Sequence, residues 1–544
     1  MELTDEKEDL KMTYTDKKEK CQQGTISLCM IVKNEEHHLP QCLDSVANAV
    51  DEIIVVDTGS TDRTVEIAER YGARVFSHPW EGSFSKARNY SLDYATSEWI
   101  LILDADEELQ ESDVLILKEV VKDNDNSSVS FVIKNKYKNS TQEGYARMIR
   151  LFRNFNGVHY EGIVHNMIKH SGTCFDSSLS VIHHGYNLSE DKMEEKFVRT
   201  STLLQKQLET DPHNPIPYMY LGNAYMDRGM YDEAITNSRK ALSIARKQGH
   251  NVKNYMVSYY IVSAAYFEKG ELEKAETYAL KAIELDDQFL DAYCILSFAC
   301  YNQKKYESFI QASENYLTLW NSIINPSSVR ELRTEIQNSR INHTIGHKWK
   351  IHLLRGFYYL SNNQDEAGNL EIDLARKESM DTENYLMLLG SFYMDNNIDK
   401  AEDAYKKLLN INGDSVEALF NLGRIKFQKG DIEETLLIWR KAVDQEPASF
   451  DIRLLICKIN VTQGNIEDVV GDCDKLLQIL DMPRDMTLDS MGGLAEIFNS
   501  ISKRLEEENH VQSAGTASKI YEELRQISRR SPTCQGDMLN FMDN

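Results

Sequence analysis

Residues 26–62 read ISLCMIVKNEEHHLPQCLDSVANAVDEIIVVDTGSTD, and this stretch decides the fold of the N-terminal third. ISLCMIV at 26–32 is a continuous apolar run, as a strand buried on both faces requires. The spacing predicts a helix over 39–49 and a second strand over 52–56. The loop 57–62 supplies Asp, Ser and Thr as caps and Gly59 for a tight turn. A helix over 63–71 stops at Gly72, a C′ position. Working outward, a strand over 73–77, a helix over 85–95 and a strand over 98–103 complete the series. Strands alternating with helices imply a parallel sheet with right-handed crossovers. Ligands of such sheets lie beyond the carboxyl ends of the strands. Three of those ends carry polar residues: Lys33-Asn34-Glu35-Glu36, Asp57, and Asp104-Ala105-Asp106.

Asp104 and Asp106 directly follow WILIL, with one residue between them. Alternate residues of an extended segment point the same way, so the two carboxylates can converge on one hard cation. Mg²⁺ or Mn²⁺ takes one or two carboxylates and completes its shell with water and substrate phosphates. The competing reading is a solvated acidic loop in which Glu107 and Glu108 continue the charge run.

The ordered set ISLCMIVKNEE, VDEIIVVDTGSTDRT, Trp80 to Asn89 (WEGSFSKARN) and WILILDADE resembles the inverting family-2 glycosyltransferases of GT-A fold. It is most similar to the subgroup that includes peptide S- and O-glycosyltransferases. The resemblance covers 25–186, about a third of the chain. It implies a nucleotide-sugar donor, usually a UDP-sugar, bound at this sheet edge with Mn²⁺ or Mg²⁺. By position, Asp57 and the strand end Ile31 to Lys33, with Glu35 beside it, would serve the nucleotide. Asp104 would lie near the ribose or sugar, and Asp106 would ligate the metal, with Asp104 in the same motif. Lys86, Arg88 and Asn89 would face the diphosphate or sugar. Thr58 stands where many members carry a second Asp, which weakens the assignment of uridine.

Further along, RLFRN at 150–154 and GVHYEGIVHN at 157–166 resemble the acceptor-side segment of the subgroup. That segment commonly ends in His-Glu, whereas here it ends in His165-Asn166. Inverting transfer needs a general base within reach of the acceptor. Either Glu161 or His165 substitutes for the lost Glu, or the acceptor is a thiol needing less help. His183-His184-Gly185-Tyr186 is similar to the family's closing element, whose first His can complete the metal shell. His184 reads as structural, and Tyr186 either stacks on the donor or packs in the core.

From Tyr218 onward the chain repeats. A small residue at position 20 of a 34-residue unit falls at Ala234, Ala275, Ala367 and Ala401, with Phe309, Thr435 and Val469 in weaker units. Tyr218, Leu221-Gly222, Tyr225 and Gly229 mark the first unit; Gly430, Trp439, Ala442 and Pro447 mark a later one. This resembles tetratricopeptide repeats, some seven units across the array. An irregular insertion at 320–348, with Pro326, is expected to split the array into blocks of three and four. Solenoids of this kind present a concave surface for an extended peptide or helix. Dimerisation, or bracing of the first domain, are the other uses the repeat allows.

The 544 residues suffice for roughly three to four domains. The division expected is a flexible tail at 1–24, a GT-A domain at 25–195, a linking helix at 196–213, the array at 214–480, and capping helices with a loose tail at 481–544. A net charge of −25 argues against binding nucleic acid or an anionic membrane. Nine scattered cysteines without a CxxC pair read as reduced packing residues. The N-terminus shows no apolar signal-peptide core, and no run of about 18 apolar residues occurs. A cytoplasmic location without stable membrane insertion is therefore expected.

These readings converge on a bacterial-type protein glycosyltransferase. It would move a sugar from a nucleotide-diphosphate sugar to Ser, Thr or Cys of a polypeptide held by the array. Flagellin-like and bacteriocin-precursor-like acceptors are expectations by analogy, and a homodimer is compatible. The alternatives are a cell-wall or lipid-linked glycan acceptor, and a repeat scaffold with a vestigial transferase domain.

Overall fold

The computed structural model describes residues 22–122, 127–136, 143–155, 157–164, 166–184, 190–324, 343–379, 381–482 and 491–530. Most of the expected N-terminal tail, the middle of the insertion and the loose C-terminal tail lie outside these residues.

The expected parallel strands form as β1 (Ile26–Val32), β2 (Glu52–Asp57), β3 (Arg74–Ser77) and β4 (Trp99–Ile102). Helices α1 (Leu39–Val46), α2 (Thr64–Arg70) and α3 (Phe84–Leu92) connect them. In α1, Leu39, Cys42, Leu43 and Val46 are buried, the i, i+3, i+4, i+7 stripe that docks a helix on a sheet. The strands run apolar because both faces are covered: Leu28, Val55 and Leu101 are fully buried.

Beyond β4 the chain adds β5 (Glu107–Leu109), α4 (Asp113–Lys122), β6 (Ser128–Lys136), β7 (Glu143–Arg153) and β10 (Cys174–His183). The eight-stranded sheet has the order β3-β2-β1-β4-β7-β6-β10-β5. β7 pairs antiparallel with β4, and β5 pairs antiparallel with β10 so that Glu107 stands opposite His183. A separate hairpin, β8 (His159–Glu161) with β9 (Met167–Lys169), makes a two-stranded sheet. Helix α5 (Glu190–Thr210) then runs where the linking helix was expected.

The array begins with α6 (Pro215–Asp227) and α7 (Tyr231–Lys247), α8 (Met256–Glu268) and α9 (Leu272–Leu285), and α10 (Leu290–Asn302) and α11 (Tyr306–Ile324). After the insertion come α12 (Lys348–Ser361) and α13 (Asp365–Glu378), α14 (Thr382–Asn396) and α15 (Ile398–Ile411), then α16 (Val416–Gln428) and α17 (Ile432–Gln445). The pair α18 (Phe450–Gln463) and α19 (Ile466–Ile479) completes seven, and α20 (Met491–Glu507) with α21 (Val511–Arg530) follows as the expected cap. Ala234, Ala275, Phe309, Ala401, Thr435 and Val469 are each 0% exposed, which bears out the register in six units. The fourth unit corrects it. Ala367 is half-buried, and the neighbouring Gly368 takes the tight position. A Cβ on Gly368 would fall 2.7 Å from Leu360 Cγ, too close even for alanine.

The block boundary also differs from expectation. The two compact units are Met1–Asp381 and Thr382–Asn544, so the division follows the fourth pair and not the insertion. The C-terminal end of the insertion is tied to the third pair: Tyr316 donates to the Thr344 carbonyl (2.5 Å) and Trp320 Nε1 to the Ile345 carbonyl (2.8 Å). The seven described cysteines are free.

Two packing details give stability tests. A Cβ at Gly423 would fall 2.2 Å from Trp439 Nε1, whose N–H donates to the Phe420 carbonyl. Gly423→Ala should destabilise the second unit by about 1–3 kcal/mol in urea unfolding, and an unchanged midpoint would refute the tight contact. In the first unit, Glu371 accepts from Arg355 Nε (2.8 Å) and lies 2.6 Å from His352 Nδ1. Burial alone would raise the Glu371 pKa, but His352 and Arg355 hold it below the ordinary 4.5. A carboxylate with a depressed folded-state pKa stabilises above its unfolded value. Glu371→Gln should therefore lower the unfolding temperature at neutral pH, and the gap to wild type should shrink as pH falls below 4.5.

Candidate active site

The loops after β1 and β2 are knitted into one rim. Asn34 N–H donates to Ser60 Oγ (3.0 Å), and Thr61 N–H donates back to Asn34 Oδ1 (2.8 Å). Glu35 N–H donates to Thr64 Oγ1 (2.8 Å), and Glu36 N–H to Asp62 Oδ2 (3.1 Å). Asn34 itself holds φ +56°, a left-handed conformation that Asn tolerates. Asp57 is buried and accepts from the N–H groups of Gly59 (3.2 Å) and Ser60 (3.0 Å), so its carboxylate shapes the loop. Thr58 donates its hydroxyl to the Val32 carbonyl (3.0 Å), which ties β2 to β1. Ile31 is half-buried and Lys33 is exposed on this rim.

The β4 end is where charge concentrates. Asp104 Oδ1 accepts from Arg88 Nη2 at 2.6 Å, and Arg150 Nη2 lies 4.0 Å from Asp104 Oδ2. Arg88 comes from α3, whose N-cap Ser83 accepts from the Lys86 N–H. Arg150 comes from β7 and pairs with Glu107, which is only 2% exposed. Glu107 Oε2 also accepts the Asp104 N–H at 3.0 Å. Burial would raise the Asp104 carboxyl, yet Arg88 and then Arg150 hold it down at about 2. Burial likewise pushes Glu107 up. Arg88 Nε and Nη1 and Arg150 Nε are buried without a hydrogen-bond partner among the described residues. The Tyr160 ring lies beneath Arg88, 5.5 Å from centroid to guanidinium carbon.

Asp106 has different partners. Its Oδ2 lies 3.2 Å from His183 Nε2, and His183 Nδ1 lies 2.8 Å from Asn135 Oδ1. The antiparallel β5–β10 pairing delivers this contact, since it sets Glu107 opposite His183. Burial disfavours the His183 imidazolium, but the Asp106 carboxylate outweighs it and raises the pKa. Glu35 is raised by burial and then by the like charges of Asp106 and Asp104. A carboxylate and an imidazole oriented by a second hydrogen bond form a donor set that fits a divalent cation. Asp104, however, is engaged with arginines. Among the described residues no group of three His, Cys, Asp or Glu side chains is arranged to hold a metal ion.

The remaining candidates are spread out. Lys86 is exposed and pairs with Glu81 (2.8 Å). Asn89 donates to the Tyr160 carbonyl (2.9 Å) and accepts the Tyr160 N–H (2.6 Å), so its amide anchors β8 to α3. Glu161 lies one residue from Tyr160 on a strand, hence on the opposite face. It is exposed, 3.1 Å from His159 Nε2 and 3.7 Å from Lys169 Nζ. His165 and Tyr186 lie outside the described residues. His184 lies 3.1 Å from Glu108 across the β5–β10 edge, as a structural pair does. Arg150, Glu107 and Asn135 are the site residues that the sequence reading did not assign. The available signal for Arg150 was a cation inside the apolar run MIRLF.

Residues 27–183 match the Glycosyl transferase family 2 model, and residues 216–288 match a Tetratricopeptide repeat model. The chain thus carries a family-2 glycosyltransferase domain followed by tetratricopeptide repeats. The SPbeta prophage-derived glycosyltransferase SunS of Bacillus subtilis is 32% identical over 42% of this chain and 56% of that protein. A TPR repeat-containing protein of Synechococcus elongatus is 35% identical over 34% of this chain and 47% of its own length. An uncharacterized glycosyltransferase of Rickettsia felis is 46% identical over 15% of this chain and 29% of that protein. The chain therefore spans about half the length of the first two relatives or less. Among the described residues no helix is long and apolar enough to cross a membrane.

The buried Arg150–Glu107 pair predicts strong coupling. Arg150→Ala should destabilise the first unit by about 3–5 kcal/mol, because it strands a buried carboxylate. Adding Glu107→Ala should recover part of that loss in a double-mutant cycle followed by urea unfolding. Simple additivity of the two losses would refute the pairing.

Proposed function

We propose that this chain is an inverting glycosyltransferase that moves a sugar from a nucleotide-diphosphate sugar, a UDP-sugar foremost, to a polypeptide side chain. The observation that carries the reading is the gathering of Asp104, Asp106, Arg88, Arg150 and His183 at the β4 end of a family-2 domain. Ile31, Lys33, Glu35 and Asp57 form the nucleotide rim. Asp104 faces the ribose or sugar, fixed in place by two guanidiniums. Asp106 and His183 would hold Mn²⁺ or Mg²⁺. The bound cation supplies charge neutralisation for the leaving diphosphate.

Arg88 adds a fixed positive charge beside the same group, and Lys86 adds another once released from Glu81. Asn89 positions β8 through its two bonds to Tyr160. Glu161, on the exposed side of β8 with His159, or His165 takes the acceptor proton. Inversion places the base on the opposite side of the sugar from the leaving phosphate. The acceptor is a Ser, Thr or Cys side chain of a polypeptide held by the repeats. The similarity to SunS, a named glycosyltransferase, and the fusion to a repeat that offers a concave surface support that choice.

Purified chain incubated with Mn²⁺ and a panel of UDP-, GDP- and TDP-sugars should release one nucleotide. Asp106→Ala and chelation should each reduce release at least a hundredfold. With an acceptor present, Glu161→Gln should lower kcat about 10²-fold while leaving the donor KM unchanged. Nucleotide release that survives Asp106→Ala would overturn the metal assignment.

A further inference from the structure

The first helices of the pairs line the inner curve of a tetratricopeptide array, and in this chain part of that curve is already filled. Residues 343–347, at the C-terminal end of the insertion, lie across α8 and α10. The His343 ring stacks on Tyr260 of α8 with centroids 4.8 Å apart. Cys294 of α10 lies 3.7 Å from His347 Nδ1, and Phe298 of α10 faces the His347 ring. Tyr260 and Cys294 are the fifth residues of α8 and α10, so the segment crosses the same position of successive pairs.

Asp291 on α10 forms the floor of this contact and is 0% exposed. Its carboxylate accepts three hydrogen bonds, all from the segment: His343 N–H (3.1 Å), Thr344 N–H (2.8 Å) and the Thr344 hydroxyl (2.7 Å). Thr344 is fully buried, and Ile345 is 5% exposed beside Tyr293 and Tyr316. A buried carboxylate left without donors is strongly disfavoured. Any chain occupying this groove must therefore present two consecutive backbone N–H groups and a hydroxyl to Asp291. The pocket next to it requires an aliphatic side chain. The same segment also approaches β7, the strand that carries Arg150.

We propose that residues 343–347 are a built-in occupant of a peptide-recognition groove, and that the groove takes a polypeptide in which Ser or Thr is followed by an aliphatic residue. This rests on the reading that the array holds a polypeptide, and it adds which chemistry the groove selects and what competes for it. Because the occupant is tethered, its effective concentration is high, and a free peptide must displace it.

The test uses the full chain and a fluorescein-labelled peptide, Asn-His-Thr-Ile-Gly-His, copied from residues 342–347, followed by fluorescence anisotropy. A variant carrying Thr344→Gly and Ile345→Gly weakens the internal occupant. It should bind the peptide at least tenfold more tightly than wild type. A peptide with Ala in place of Thr should bind that variant about tenfold more weakly, the loss expected for one hydrogen bond to a charged group. Equal binding to wild type and variant, or no effect of the Thr replacement, overturns the proposal. Hydrogen exchange on the wild-type chain gives a second readout that needs no variant. Excess peptide should speed exchange of the amides of 343 and 344, and unchanged protection overturns displacement. Nucleotide release from donor sugars is measured separately. Its absence with peptide binding intact would sink the transferase reading alone, and the converse would sink only the groove.

Discussion

A half-buried carboxylate at the end of a central strand, held at a charged cluster, calls for matching positive charge, and Asp104 is matched twice. Arg88 reaches it from a helix between parallel strands, and Arg150 from a strand running the opposite way. That demand explains the architecture around it. β7 lies antiparallel beside β4, which delivers Arg150, and Glu107 sits beneath to balance the second guanidinium. β5 pairs with β10 and so brings His183 to Asp106. Weakening the central ion cluster would loosen three elements together, because each contributes a charge that the others keep buried.

The parallel half of the domain was legible because its strands are uniformly apolar and separated by turn and cap residues. ISLCMIV, EIIVV and WILIL each read as a buried strand. The second half was not. β5 is three residues inside the charge run DADEEL, and only its pairing with β10 makes it a strand. Glu107 looked like one more surface carboxylate, whereas tertiary pairing with Arg150 buries it. Asp104, Asp106, Arg88 and His183 do meet at one strand end. Asn89 and Lys86 were assigned to a ligand from their place in a motif; within the chain their side chains contact Tyr160 and Glu81.

In the array the period was readable since close helix approach forces a small or deeply buried residue at one position of every unit. The one slip, from Ala367 to Gly368, comes at the unit after the insertion: Ala367 stands 34 residues before Ala401, yet Gly368 takes the tight contact with Leu360. Local spacing could not show that the end of the insertion folds back over α8 and α10. That contact depends on Asp291, an acidic residue whose meaning emerges only when its three donors are seen.

On the proposed reading, the domain would supply a charged site for an anionic donor, and the array a groove with chemical preferences for polypeptide. The most direct measurement is the fate of labelled sugar. The full chain, given radiolabelled donor and a lysate as acceptor source, should place label in the protein fraction, and Asp106→Ala should abolish it. Label confined to the organic-extractable fraction would contradict a polypeptide acceptor, and no incorporation into either fraction would contradict the transferase itself.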